Sequence, residues 1–438
     1  MRRVRLLVLG VIVLCLLALI AAGSILLPDA AVLAAVEGQV LMQRGERGEF
    51  AAVLQGAEVR RGDVIRTGRH SGVRVDLSHG DRLLLQEQTE IVVRRLGRRP
   101  LRDSYRTVIE VRLGRVAAEV DEGRRQLELV APGGVVAAIR GTRLREAVDP
   151  ERGARLAVDR GEVAFSSNGT AIAVGEGSGS AVRGGGAPLT PRPLLGGPEA
   201  LFRQSELPWE AAFYRLRWVV TPGALTQRVE VARLGDFSVL CDEFEGADPS
   251  YDPERLDQPA TYHVRVRAAD ADAIEGRSGG VFHLEFDPDF YHGIRLLAAG
   301  DAAAAEARLA IAAERTPDDP LPWGELGWSR HLQANWGGAV AAFERSLTLD
   351  PGATRIRVRY ARDLYWTGDL AGARRAFDEV IAVNRRDADA WAGLAAVSRA
   401  EGDFAAALAA ARQALALDPA QEYAHDEVRR AQRRQREP

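Results

Sequence analysis

The chain has 438 residues, 46% hydrophobic and 27% charged, a globular composition that excludes disordered and collagen-like classes and leaves room for two to four domains. Its 58 cationic side chains, all Arg, nearly balance 61 anionic ones to a formal charge of -3, so it has no electrostatic footprint for nucleic acid. The two cysteines, Cys15 and Cys241, are too far apart in role and position for a structural disulfide, and they offer no zinc site.

Arg2, Arg3 and Arg5 precede an uncharged run from Leu6 to Leu27 that ends at Pro28-Asp29. A positive start followed by an apolar core is a targeting signal, and the run is long enough for a bilayer, which takes about 20 residues. Residues 1–29 are therefore expected to be a cleaved signal peptide or a membrane anchor. The length exceeds the roughly 7–15 residues of a signal core and favours the anchor. Either alternative puts the remainder outside the cytoplasm, in the periplasm or envelope.

From Val32 to Arg183 apolar and polar residues alternate, as in Val73-Arg-Val75-Asp-Leu77 and Val108-Ile-Glu-Val111, with Gly-rich turns between. This predicts an all-β domain over 30–183. Its landmarks are Leu54-Gln-Gly56, Gly62-Asp63-Val64-Ile65-Arg-Thr67-Gly68, Ser78-His-Gly80, Leu113-Gly-Arg-Val116 and Ala137-Ala-Ile-Arg140-Gly141-Thr142. In that order they resemble the FecR periplasmic domain. The glycines suit strand reversals with positive φ, and Asp63 and Thr67 can bond turn backbone. Asp63, Thr67, Arg140 and Thr142 are also the candidates for a ligand site. FecR-type regulators carry a cytoplasmic anti-sigma segment ahead of the membrane helix, whereas five residues precede the apolar run here. The resemblance is thus expected to carry over the sensing module without sigma-factor control.

Residues 184–207 are rich in Gly and Pro and read as a flexible linker. Strand patterning returns over 208–285, with Leu216-Arg-Trp218, Gln227-Arg-Val229-Glu-Val231 and Tyr262-His-Val264-Arg-Val266. This span resembles a fibronectin type III-like β-sandwich, in which Trp218 would sit under the facing sheet and Tyr262 would open a late strand.

A period of 34 residues follows. Trp323, Arg357 and Trp391 are in step, as are Leu326, Tyr360 and Leu394, then Ala339, Ala373 and Ala407, then Phe343, Phe377 and Ala411. Large and small residues at these offsets resemble the tetratricopeptide (TPR) repeat, an all-α solenoid of helix pairs. Four repeats span 286–421, and 422–438 reads as a capping helix. The resemblance implies groove residues Phe290, Ile294, Leu321, Trp328, His331, Leu332, Arg355, Val358, Arg362, Tyr365, Trp366 and Arg399. Aromatics among arginines suit protein hot spots, and the arginines imply a partner carrying acidic or C-terminal carboxylates.

The seven His residues are scattered, with no metal-ligand spacing, and no dinucleotide fingerprint, Walker motif or nucleophile elbow occurs. The chain is expected to be non-enzymatic and to need no cofactor or metal. The leading functional reading is a membrane-anchored envelope adaptor that binds a protein or peptide through the array. The alternatives are a ligand-sensing signalling component and a carbohydrate-binding, cell-wall-binding or catalytic β domain.

Overall fold

The computed structural model describes residues 27–28, 31–77, 80–99, 104–121, 125–139, 141–198, 200–207 and 212–436. The expected signal peptide or anchor, residues 1–29, lies outside them apart from Leu27 and Pro28, and among the described residues no helix is long and apolar enough to cross a membrane. The chain forms two compact units, Met1–Phe202 with Arg215–Glu285, and Arg203–Tyr214 with Phe286–Pro438.

In the first unit the strands from Leu27 to Pro193 close into a barrel. Side chains alternate across a strand, so Val73, Val75 and Leu77 point inward while Arg74 and Asp76 point out. The inward positions meet in one apolar cluster that includes Leu33, Ile65, Leu83, Val111, Leu129 and Phe165. The long strand Ser104–Glu119 serves both walls. Its first part pairs with Glu90–Arg99 and Arg125–Ala131, its last part with Arg82–Leu85 and Arg143–Asp149. The change of partners falls at Gly114, where φ is +94° and a Cβ would lie 2.5 Å from Thr89 Cα.

The stretch expected to be a flexible linker is instead an ordered strap. Arg192–Pro193 pairs with the barrel strand Ser178–Val182. Leu194 N donates to Gly177 O and Arg277 N donates to Leu195 O, both at 2.8 Å. Its glycine permits close backbone approach rather than mobility, since a Cβ on Gly197 would fall 2.0 Å from Gly279 N.

The middle region has two sheets. Leu216–Trp218 pairs with Ser250–Tyr251, and a larger sheet contains, in order, Asp242–Gly246, Thr226–Ala232, Ala260–Ala269 and Glu275–Ser278. Trp218 is buried and donates from Nε1 to Gln227 Oε1 at 3.3 Å. Tyr262 is buried and donates from its hydroxyl to Gln258 O at 2.9 Å.

Barrel and middle region belong to one unit because charged side chains stitch them together. Gln86 bridges Glu230 at 3.1 Å and Arg228 at 2.5 Å. Arg145 holds Asp159 with two bonds of 2.9 and 3.1 Å and reaches Gly276 O at 3.0 Å. Arg115 meets Glu275 at 3.2 Å and also Glu245. Burial works to raise the Glu230 carboxyl, yet Arg267, Arg265 and Arg228 outweigh it and hold it well below the carboxylate range. Glu275 is likewise lowered, to about 2, by Arg228, Arg115 and Arg145 against its burial.

The second unit contains, among the described residues, nine helices: α1 (Pro288–Ala298), α2 (Ala302–Arg315), α3 (Pro320–Leu332), α4 (Trp336–Leu349), α5 (Thr354–Thr367), α6 (Leu370–Val383), α7 (Ala388–Ala400), α8 (Phe404–Leu417) and α9 (Glu422–Arg436). The repeat supplies their caps: Asp301, Asn335, Asp369 and Asp403 stand in one 34-residue column, and each side chain accepts a backbone N–H of the helix it starts. Within the first three pairs a small residue on the first helix faces a larger one on the second. A Cβ on Gly293 would meet Leu309 Cγ at 2.6 Å, and one on Gly327 would meet two ring carbons of Phe343 at 2.6 Å. Ala361 and Phe377 continue this pairing in one buried cluster.

Both ends of the array are covered. The rings of Phe213 and Tyr214, in a segment expected to belong to the linker and sandwich, pack on Phe290 at 6.3 Å. At the other end Ala424 of α9 packs with Ala392 and Ala414, and Ala431 with Ala407 and Leu408.

Gly114→Ala should destabilise the barrel by about 2–4 kcal/mol through its positive φ and the clash with Thr89. Hydrogen exchange should show this as lost amide protection in Arg82–Leu85 and Arg143–Asp149, with the helices unaffected. A second prediction concerns Glu146, which points into the barrel beside Leu144 and Val148. It is 1% exposed, and among the described residues neither carboxyl oxygen has a hydrogen-bond partner. Burial pushes this carboxyl up to about 8 from 4.5. Between those values the folded state holds a proton that the unfolded state has released, so stability falls as pH rises from 4.5 to 8. Glu146→Gln should remove this dependence. Its thermal midpoint should exceed that of the parent at pH 8 by more than at pH 5, by the equivalent of about 1–3 kcal/mol.

Candidate functional site

Five aromatic rings on α3, α4 and α5 form a continuous ladder. Trp328 and His331 are one helical turn apart on α3 and stack with centroids 4.7 Å apart and planes at 13°. His331 meets Trp336, the first residue of α4, at 5.2 Å. Trp336 stacks on Trp366, near the end of α5, at 5.6 Å and 21°. Tyr365 adjoins Trp366 edge-on at 5.3 Å. Four of the rings are half-buried, and Trp366 is 52% exposed.

Buried charges hold the ladder in place. His331 Nδ1 lies 2.6 Å from Asp363 Oδ1, and Asp363 is fully buried. The Arg359 guanidinium sits 4.2 Å above the Trp328 ring and 3.7 Å from Glu325. Burial pushes the Glu325 carboxyl up and the Arg359 guanidinium down. Each thus leans toward neutrality, and the attraction only partly offsets desolvation. At the other end Arg399 donates to the Tyr365 hydroxyl at 3.0 Å and to Glu427 of α9 at 2.6 Å.

The expected groove residues fall into three groups. Trp328, His331, Tyr365 and Trp366 come together in the ladder, and the exposed Leu321 and Leu332 lie on the same helix as its first two rings. Arg362, Arg399 and Arg355 are engaged within the array. Arg362 binds Asp389 at 3.0 Å, Arg399 binds Glu427, and Arg355 helps to offset the burial of Glu325. Phe290, Ile294 and Val358 are buried and offer no surface, Phe290 because Phe213 and Tyr214 cover it. The arginines expected to meet a carboxylate partner are thus already engaged within the array.

Sequence reasoning missed Trp336, Arg359 and Asp363. Trp336 was findable, because its column reads Ala302, Trp336, Leu370 and Phe404, apolar after each cap. The buried Asp363 had no such signal.

In the barrel, the proposed ligand residues are bound into their own turns. Asp63 accepts from Arg44 at 2.6 Å and from Arg60 N at 2.9 Å. Thr67 donates to Gln86 O at 2.5 Å and accepts from Thr89 N at 2.9 Å. Thr142 is buried and donates to Glu162 O at 3.2 Å, while Arg140 lies outside the described residues. Gly62, Gly80 and Gly141 have positive φ as expected. Gly68 does not; it is small because a Cβ would press on Gln39 O at 3.3 Å.

No curated protein matches the chain. The family described as FecR protein matches residues 63–164, and tetratricopeptide-repeat families match 292–354 and 331–397. Among solved structures the chain is similar to MamA from Desulfovibrio magneticus RS-1, at 22% identity over 34% of this chain and 83% of that one, with a TM-score of 0.32. It is also similar to YrrB, a TPR protein with an unusual peptide-binding site, at 17% identity over 32% and 72%, with a TM-score of 0.30. A third is the first TPR of Spaghetti (RPAP3) bound to an HSP90 peptide, at 20% identity over 27% and 93%, with a TM-score of 0.26. The chain combines a FecR domain with tetratricopeptide repeats, modules that point to a protein-interaction or signalling adaptor.

Proposed function

We propose that the protein is an extracytoplasmic adaptor whose array seats an apolar or aromatic peptide segment of a partner on the ladder Trp328–His331–Trp336–Trp366–Tyr365. The observation that carries this reading is a run of five touching rings that includes a half-exposed tryptophan. Rings already fixed by stacking lose little entropy on binding, so the area they bury goes into affinity. Because Arg362 and Arg399 already hold Asp389 and Glu427, the partner is selected by apolar side chains rather than by carboxylates.

The extracytoplasmic placement rests on Arg2, Arg3 and Arg5 ahead of the apolar run and on the FecR match. A reporter enzyme active only outside the cytoplasm, fused after Pro438, should be active in cells; cytoplasmic activity of a reporter that works only inside would refute the placement.

For the ladder, a displayed peptide library should be selected against the full-length protein and against Trp336→Ala/Trp366→Ala. Enriched peptides should be rich in aromatic, aliphatic or proline residues. Their affinity for the double variant should drop by about tenfold or more, the size of a hot-spot loss. Peptides that bind both proteins equally would remove the ladder as the docking site. Trp366→Ala alone should change the thermal midpoint little, since half of that ring is already in solvent.

A further inference from the structure

The outer face of the barrel has a charge pattern unrelated to the array. Register places Asp76, Arg82, Glu119 and Arg143 in one row across four strands, and Arg74, Leu84, Ala117 and Arg145 in the next. The first row alternates in sign and neutralises itself, with Glu119 bound to Arg143 and lying 4.0 Å from Arg82. The second row has a guanidinium at each end and an apolar floor of Leu84 and Ala117.

Above this floor is a cleft of about 670 Å³ whose far side is built from the middle region of the same unit. Pockets that take small organic ligands run to roughly 300–1,000 Å³. Seven guanidiniums line it against five carboxylates. Each carboxylate is already occupied: Glu119 by Arg143, Asp159 by Arg145, and Glu230 by Arg265 and Arg267. Glu176 and Asp236 accept the backbone N–H groups of Gly161 and Ser238.

One cation is left over. The Arg277 side chain is exposed and has neither an ion pair nor a hydrogen bond among the described residues. Its position is nevertheless defined. The guanidinium lies against Gly177, where a Cβ would come 2.5 Å from its terminal nitrogen. Across the cleft Arg265 is fixed between Glu230 and the Phe237 ring, 3.9 Å below it.

We propose that this cleft binds a small organic oxyanion, a carboxylate or phosphate ester with an apolar body. Arg277 takes the charged end, and the body lies over Leu84 and Ala117. A guanidinium presents paired donors that match either oxyanion, which is why the shared chemistry is assigned.

The test uses the full-length protein at low ionic strength, with phenyl phosphate and phenylacetate as probes and benzyl alcohol as the uncharged control. Calorimetry should show saturable binding of at least one anion and none of the alcohol, and the anion that binds identifies the phosphate or the carboxylate class. Arg277→Gln should weaken binding about tenfold or more, as expected for losing a charge-assisted bond. The fold should stay intact because that side chain has no partner to lose. Arg385→Gln, on the exposed surface of the array, should not weaken binding. Non-saturating heats, equal binding of the alcohol, or equal losses in Arg277→Gln and Arg385→Gln would each overturn the assignment.

Discussion

The first unit depends on a buried cluster of charge. Glu230 is fully buried and is held by Arg265, by Arg267 at 3.0 Å and by Gln86 of the barrel at 3.1 Å. Arg228, also buried, joins Gln86 to Glu243. Taking ions out of water is expensive, and such a cluster persists only where close opposite charges and hydrogen bonds offset most of that cost. Removing one member typically costs about 3–5 kcal/mol because it strands the others. The partners come from barrel strands and from the middle sheet, so neither can shift without breaking the cluster. Two regions that read as separate domains therefore form one body, and the cleft lined by Arg145, Arg265 and Arg267 has fixed walls.

The array solves a different problem with different chemistry. A helix pair cannot bury its own apolar stripe, and the 34-residue period lets each pair bury its neighbour's. Size is traded along one column, Gly293 against Leu309 and Gly327 against Phe343, so helices with different side chains keep similar spacing. Once Phe213 and Tyr214 cover one end and α9 the other, large apolar rings left half-exposed in the interior repeats stand out. The ladder from Trp328 to Tyr365 is such a set. His331 and Asp363 add a polar anchor that fixes its geometry.

The predicted and observed arrangements agree where a local rule acts alone. Alternation in Val73-Arg-Val75-Asp-Leu77 placed those residues on the correct faces. The repeat register located the helix pairs, and family comparison finds tetratricopeptide repeats over 292–397 and a FecR domain over 63–164. Four of the five ladder rings were likewise legible from repeat position. Local rules failed where meaning depended on a distant neighbour. Gly197 reads as linker flexibility but serves a backbone contact with Gly279, 82 positions away in the chain. Phe290 occupies a groove position in the repeat, yet rings from outside the repeats cover it.

The sequence by itself determined the all-β character of the first domain, the helical repeats and most of the aromatic ladder. Each follows from periodicity or from a residue's own backbone preference, and both are local. Only the tertiary structure decided which charges are free. Arg362 and Arg399 look available in sequence but are bound to Asp389 and Glu427, whereas Arg277, unremarked in any pattern, is left unpaired among the described residues over a cleft. The physical reason is that ion pairing depends on separation in space, and residues such as Arg145 and Glu275, 3.3 Å apart in the fold, carry no trace of each other along the chain.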